Sequence, residues 1–175
     1  MSGRGRRPHA SPGAPSSLER DAVELHEALS DLLRVYQFRD RKCICYHDIS
    51  VTQCYTLAAL VTLGSVTQNE LAEEMYLDKS TTSRVVDSLV RKGYASRVSE
   101  RGDGRVVRVA PTDAGRHLHV TIERHLIEQE KRLIAEFDPE VRQATARLIS
   151  RLAREAKERF SREDGTCCQV EKRDT

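Results

Sequence analysis

The sequence predicts a mainly helical α+β fold. Three observations carry this. Aromatic residues make up 5% of the 175, with no Trp, nine Gly and five Pro, too few turn formers and aromatics for an all-β chain. Apolar residues recur at the i, i+3, i+4, i+7 spacing of a helix face through most of the chain. Only after Gly93 does the pattern turn into two short β-branched runs around a Gly-containing turn. Charged residues are 32% and hydrophobic residues 38%, the balance of one globular domain of ordinary size with a charged exterior.

Residues 1–16 hold Gly, Pro, Ser, Ala and Arg with almost no large apolar side chain. Such a segment buries too little to offset chain entropy and is expected to be a disordered basic tail. A first helix is expected from Ser17 to about residue 40, with Leu25, Ala28, Leu29, Leu32, Leu33 and Tyr36 on one face. Lys42–Ser50 breaks the periodicity. A second helix begins at Ser50 or Thr52 as cap and stops at Gly64. Thr67 stands three residues before Glu70, the capping-box spacing, and opens a short helix through Leu71, Ala72 and Met75. Asp78 caps a third helix, Lys79–Lys92, ended by Gly93. Val85, Val86, Leu89 and Val90 form its apolar face; Lys79, Ser80, Thr81, Ser83, Arg84, Asp87 and Ser88 form the other.

Tyr94–Ser99 and Val106–Ala110 read as strands of a hairpin whose loop is Glu100-Arg101-Gly102-Asp103-Gly104. Pro111 ends the second strand. Thr112 starts a long helix with Leu118, Ile122, Leu126, Ile127, Leu133, Ile134 and Phe137 along it. Asp138-Pro139 ends that helix and starts a last one, with Pro at its first position and Val141, Ala144, Leu148, Leu152, Ala156 and Phe160 as its apolar residues. The expected organisation is a tail over 1–16, one domain over 17–160 and a flexible tail over 161–175.

The order helix, short helix, helix, hairpin over residues 50–111 is that of a winged helix-turn-helix. Net charge is only +2, but it is unevenly placed. Residues 67–78 hold four acids and no base, whereas residues 79–108 hold eight bases against three acids, one concentrated basic stretch. Small hydroxyl residues and an Arg on the third helix suit the base edges of a major groove. The hairpin tip carries Arg101 and Arg105, flanked by Arg97 and Arg108, and a slim charged loop suits the minor groove.

Residues Asn69–Arg108, NELAEEMYLDKSTTSRVVDSLVRKGYASRVSERGDGRVVR, resemble the MarR (multiple-antibiotic-resistance regulator) family. The carriers are the LAE helix, the S-T-x-[ST]-R-x-V-D-x-L helix, the K-G-Y exit, the D-x-R wing at Asp103–Arg105, and the T-x-x-G-R helix start at Thr112–Arg116. The resemblance implies a homodimeric transcription regulator bound to double-stranded DNA. By it, Ser80, Thr81, Ser83 and Arg84, with Lys79 beside them, face the major groove. Arg105 enters the minor groove, and Asp103 braces it by a salt bridge. Thr82, where an aliphatic residue is usual, and Pro111, where Leu is usual, depart from the pattern.

A dimer also follows from burial. The apolar stripes of the outer helices, over 17–40 and 112–160, exceed what the compact lobe can cover, so Leu25, Leu29, Leu32, Leu148, Leu152 and Phe160 are expected to pack between two copies. Two recognition helices then meet successive major grooves, with half-sites about 10 base pairs apart. Repression is the commoner output of a dimer that occludes a promoter, and is expected here.

Five cysteines are present, and Cys43, Cys45 and Cys54, with Tyr46 and His47, cluster in sequence. Three readings stand. The thiols sense an oxidant, activated by Arg41, Lys42 and a helix N-terminus. They bind zinc or another thiophilic metal or metalloid, aided by His47. Or Cys54 is a buried small hydrophobe and the others are incidental, with a small molecule as effector. His26, His117, His119 and His125 read as surface or core-edge residues. No nucleophile motif, paired-carboxylate site or phosphate loop points to an enzyme. No run approaches the roughly 18 apolar residues of a membrane span, and the N-terminus lacks an apolar signal segment, so a cytoplasmic location without membrane contact is expected. The rival to DNA binding is a winged-helix module that contacts only other proteins.

Overall fold

A computed structural model describes residues 16–45, 47–100 and 103–162; the side chains of residues 41–43, 45, 99, 100, 103–106 and 160–162 are also outside the description. The elements are α1 (Ser17–Cys45), α2 (Val51–Leu63), β1 (Val66–Thr67), α3 (Gln68–Glu74), α4 (Lys79–Arg91), β2 (Ala95–Glu100), β3 (Asp103–Pro111), α5 (Asp113–Leu133) and α6 (Pro139–Arg162). The chain divides into two compact units, Met1–Glu123 and Arg124–Thr175.

In the first unit, each helix starts where a local hydrogen bond demands it. Ser50 and Gln53 close a reciprocal capping box at α2, and Thr67 and Glu70 do the same at α3. Gly64 ends α2 at φ 81°, a left-handed conformation in which its N–H donates to the Leu60 carbonyl. The core is built from Ile44, Ile49, Leu57, Leu60, Leu71, Val86, Leu89 and Val109, with Leu118 and Ile122 from α5.

The first helix and the sheet both depart from expectation. The first helix does not stop near residue 40 but runs to Cys45. Its inward stripe continues from Tyr36 through Asp40 to Ile44, at steps of four. Asp40 is buried, so the stripe holds a carboxylate where apolar periodicity would look for a hydrophobe. It is satisfied by Tyr55 of α2, whose hydroxyl donates to it at 2.6 Å, and by the Arg39 guanidinium at 2.9 Å. The sheet also has a strand more than the hairpin. Its order is β1-β3-β2, all antiparallel, and β1 pairs Val66 with Val109 and Thr67 with Arg108.

Thr112 opens α5 as its cap, directly before Asp113. Its hydroxyl donates to the Gly93 carbonyl and accepts from the Gly115 N–H, and its own N–H donates to the Tyr94 carbonyl. This seam lays α5 against the exit of α4. In the second unit, α5 ends at Leu133, short of the expected Phe137, and Asp138 and Pro139 start α6. Val141, Leu148 and Ile149 of α6 are exposed. No helix among the described residues is long and apolar enough to cross a membrane. The expected tails fall almost wholly outside the described residues, although α6 continues to Arg162.

A Cβ at Gly115 would overlap the Tyr94 carbonyl oxygen and approach Leu57. The oxygen is main chain and cannot step aside. Gly115→Ala is expected to destabilise the protein by about 3 kcal/mol, measurable as a lower urea midpoint at unchanged slope.

Candidate nucleic-acid interface

The short helix α3, the turn after it and α4 form a helix-turn-helix, with Tyr76 at φ 51° in the turn. The phase of α4 is set at its first turn. Asp78 Oδ1 accepts from the Thr81 N–H at 2.8 Å and from the Ser80 hydroxyl at 2.7 Å, and Oδ2 accepts from the Thr81 hydroxyl at 2.6 Å. These donors hold the Asp78 carboxyl far below the usual carboxylate range. Thr82, Val86 and Leu89 then point into the core. Thr82 fits an otherwise aliphatic position because its hydroxyl donates to the Asp78 carbonyl at 3.0 Å.

On the outer side, Lys79, Ser80 and Arg84 are exposed, and Thr81 and Ser83 are half-buried. Arg84 lies back along the helix, donating to the Ser80 carbonyl at 3.3 Å and to its hydroxyl at 3.1 Å. The Ser80 and Thr81 hydroxyl protons are therefore engaged by Asp78, while the oxygens retain acceptor capacity. Ser88, grouped with the outer face by sequence, turns instead toward α2, where it accepts from the Gln53 side-chain amide at 2.9 Å. Lys92, at the end of α4, donates to the Asp48 carbonyl in the α1–α2 turn.

The wing hairpin pairs Ala95 with Pro111, Arg97 with Val109 and Ser99 with Val107, with an irregularity after Ser99. Arg97 Nη2 meets Asp87 Oδ1 of α4 at 2.5 Å. Arg108 Nη1 donates to the Ser65 carbonyl at 3.1 Å and lies 3.7 Å from Glu70. Glu70 is held below its ordinary value mainly by its hydrogen bonds to Thr67, with a smaller contribution from Arg108. Two of the four arginines expected to serve the wing are thus bound within the lobe. Arg101 lies outside the described residues. Asp103 and Arg105 lie on β3, and their side chains, with the expected salt bridge between them, are outside the description.

Of the cysteine cluster, Cys54 is a free thiol buried in α2. Burial and the Asp40 charge push it up to about 11, away from the reactive thiolate. Tyr55 is likewise raised, to about 12, by burial and its hydrogen bond to Asp40. Cys43 and Cys45 lie in the last turn of α1, so the helix end near them carries partial negative charge rather than the N-terminal field expected from sequence. Their side chains, like Tyr46, lie outside the description, and His47 is half-buried. Among the described residues no group of three His, Cys, Asp or Glu side chains is placed to hold a metal. His119 lies 3.9 Å from Glu123 and is half-buried, while His117 is exposed.

Leu25, Leu29 and Leu32 of α1 and Leu148 of α6 are exposed, and Leu152 is half-buried; the Phe160 side chain is outside the description. Sequence reasoning missed Asp40, Tyr55, Gln53 and Lys92 as tethers. The four-residue step from Tyr36 to Asp40 to Ile44 was the available signal for the first of these.

Residues 47–106 match the model of the MarR family. The HTH-type transcriptional regulator YsmB of Bacillus subtilis, itself uncharacterized, is 29% identical over 87 residues, which is 50% of this chain and 60% of that protein. A MarR family protein from Bacillus stearothermophilus is similar in structure at a TM-score of 0.72 and 27% identity, over 79% of this chain and 96% of that one. Streptococcus pneumoniae FabT, solved in complex with DNA, is similar at a TM-score of 0.69 and 21% identity, over 78% of this chain and 98% of that one. Members of the MarR family are transcription regulators, not enzymes.

A buried thiol raised to about 11 stays protonated at pH 8. Iodoacetamide at that pH is expected to leave Cys54 unmodified in the native protein and to alkylate it in urea, as read by peptide mass spectrometry. Equal labelling in both states would contradict its burial.

Proposed function

We propose that this chain, which carries the MarR-family winged-helix fold, is a homodimeric, sequence-specific regulator bound to double-stranded DNA. The observation that carries the proposal is the outward row of Lys79, Ser80, Ser83 and Arg84 opposite the buried Thr82, Val86 and Leu89, next to a hairpin whose strand β3 includes Arg105. A short row of small polar side chains ending in an arginine reaches base edges without steric conflict. Arg105 extends the contact to the minor groove, with Asp103 bracing it and Arg101 on the adjoining backbone.

The exposed leucines of α1 and α6 support the dimer: they form apolar stripes that a second copy would cover. In this assignment, residues 50–111 read DNA, and residues 17–40 and 112–160 hold the two copies together. Occlusion of a promoter by such a dimer makes repression the default output. Of the clustered thiols, Cys43 and Cys45 are those left to carry an oxidant or metal signal, because Cys54 is buried and its pKa raised.

Binding is tested by selecting an operator from random duplexes and following fluorescence anisotropy over a range of salt. Affinity is expected to fall steeply with salt, because the arginines release counterions. Arg84→Ala and Arg105→Ala should each weaken binding by about 10- to 100-fold and lower the salt slope by about one. A chain without salt-dependent DNA binding would favour a protein-binding winged helix instead. Sedimentation at micromolar concentration should give twice the 19.8 kDa chain mass, and a monomer there would refute the dimer.

A further inference from the structure

Asp87 places a carboxylate on the outer side of α4. It lies seven residues after Ser80 and three after Arg84, on the same stripe of α4. That stripe is the one proposed to face DNA, where a bare negative charge would meet phosphates. Asp87 is not bare, because Arg97 of β2 reaches it at 2.5 Å. Arg97 stands opposite Val109 in the hairpin register, and Val109 is buried, so Arg97 belongs to the side of the sheet that faces the helices. Both partners are partly exposed, at 38% and 49% of their side-chain surface. The pair is therefore a bridge at the rim, spanning from the wing to the recognition helix.

We propose that Arg97 is a positioning residue of the reading surface: its ion pair with Asp87 cancels a carboxylate on the DNA-facing stripe of α4. The inference rests on the proposed DNA binding. Arg97 acts through Asp87 rather than on the nucleic acid, unlike Arg84. Two consequences separate it from a phosphate contact. Losing Arg97 leaves the number of counterions released by the contacting residues unchanged. And the damage comes from the uncovered Asp87, so removing that charge repairs it.

The full-length chain and its selected operator supply the test. Arg97→Gln is expected to weaken binding about tenfold at fixed salt, with the salt slope preserved. Adding Asp87→Asn should restore affinity to within about threefold of the parent, and Asp87→Asn alone should stay within the same range. Glu73→Gln, which removes an exposed acid from α3, should give no such rescue of Arg97→Gln. Rescue by Asp87→Asn also shows that the doubly substituted protein is folded, and thermal unfolding of each variant checks the rest. A slope lowered by about one in Arg97→Gln, a parent-like affinity in that variant, or equal rescue by Glu73→Gln would overturn the proposal. If the parent itself binds no DNA in a salt-dependent way, it is the proposed function that fails.

Discussion

The helical phase of α4 is the constraint on which the rest of this lobe depends. Asp78 starts the helix by gathering three donors from the first turn, and Thr82, Val86 and Leu89 lock the opposite side into the core. One residue of slippage would turn Arg84 by about 100°, from the solvent side toward the core. With the phase fixed, Ser80, Ser83, Arg84 and Asp87 share the outer stripe. The far end is held as well, because Gln53 reaches Ser88 and Lys92 reaches the α1–α2 turn. A helix so held needs little ordering when a ligand arrives, which lowers the entropic cost of binding.

Charge is used for two purposes along the basic stretch. Arg97, Arg108 and Lys92 are engaged within the lobe by Asp87, Glu70 and Asp48. They fasten the wing to the helix-turn-helix and α4 to the turn before α2. Lys79 and Arg84 remain on the outer surface of α4. The excess of eight bases over three acids therefore overstates the field available to a partner. The ion pairs are rim interactions, worth little each in stability.

What was legible in the sequence was whatever local chemistry decides. Ser50, Thr67 with Glu70, Asp78, Gly64 and Gly93 each announce a helix boundary within a few residues, and the structure places them there. The hairpin was legible from its turn. Features that depend on distant partners were not. Strand β1 is two residues long and exists only because β3 offers it hydrogen bonds. The last turns of α1 escaped because a buried Asp40, matched by Tyr55 and Arg39, interrupts the apolar pattern. The roles of Ser88, Arg97 and Arg108 depend on neighbours 35, 10 and 43 residues away. Cys54 reads from sequence as either a reactive thiol or a buried small hydrophobe, and its burial beside Asp40, fourteen residues away, favours the second.

The central claim is that two copies of α4 occupy successive major grooves. Hydroxyl-radical footprinting of the full-length chain on its selected operator tests it most directly. The account predicts two protected tracts on each strand, centred about 10 base pairs apart, with flanking minor-groove protection from the wings. A single protected tract, or tracts at a spacing that is not a multiple of the helical turn, would contradict it.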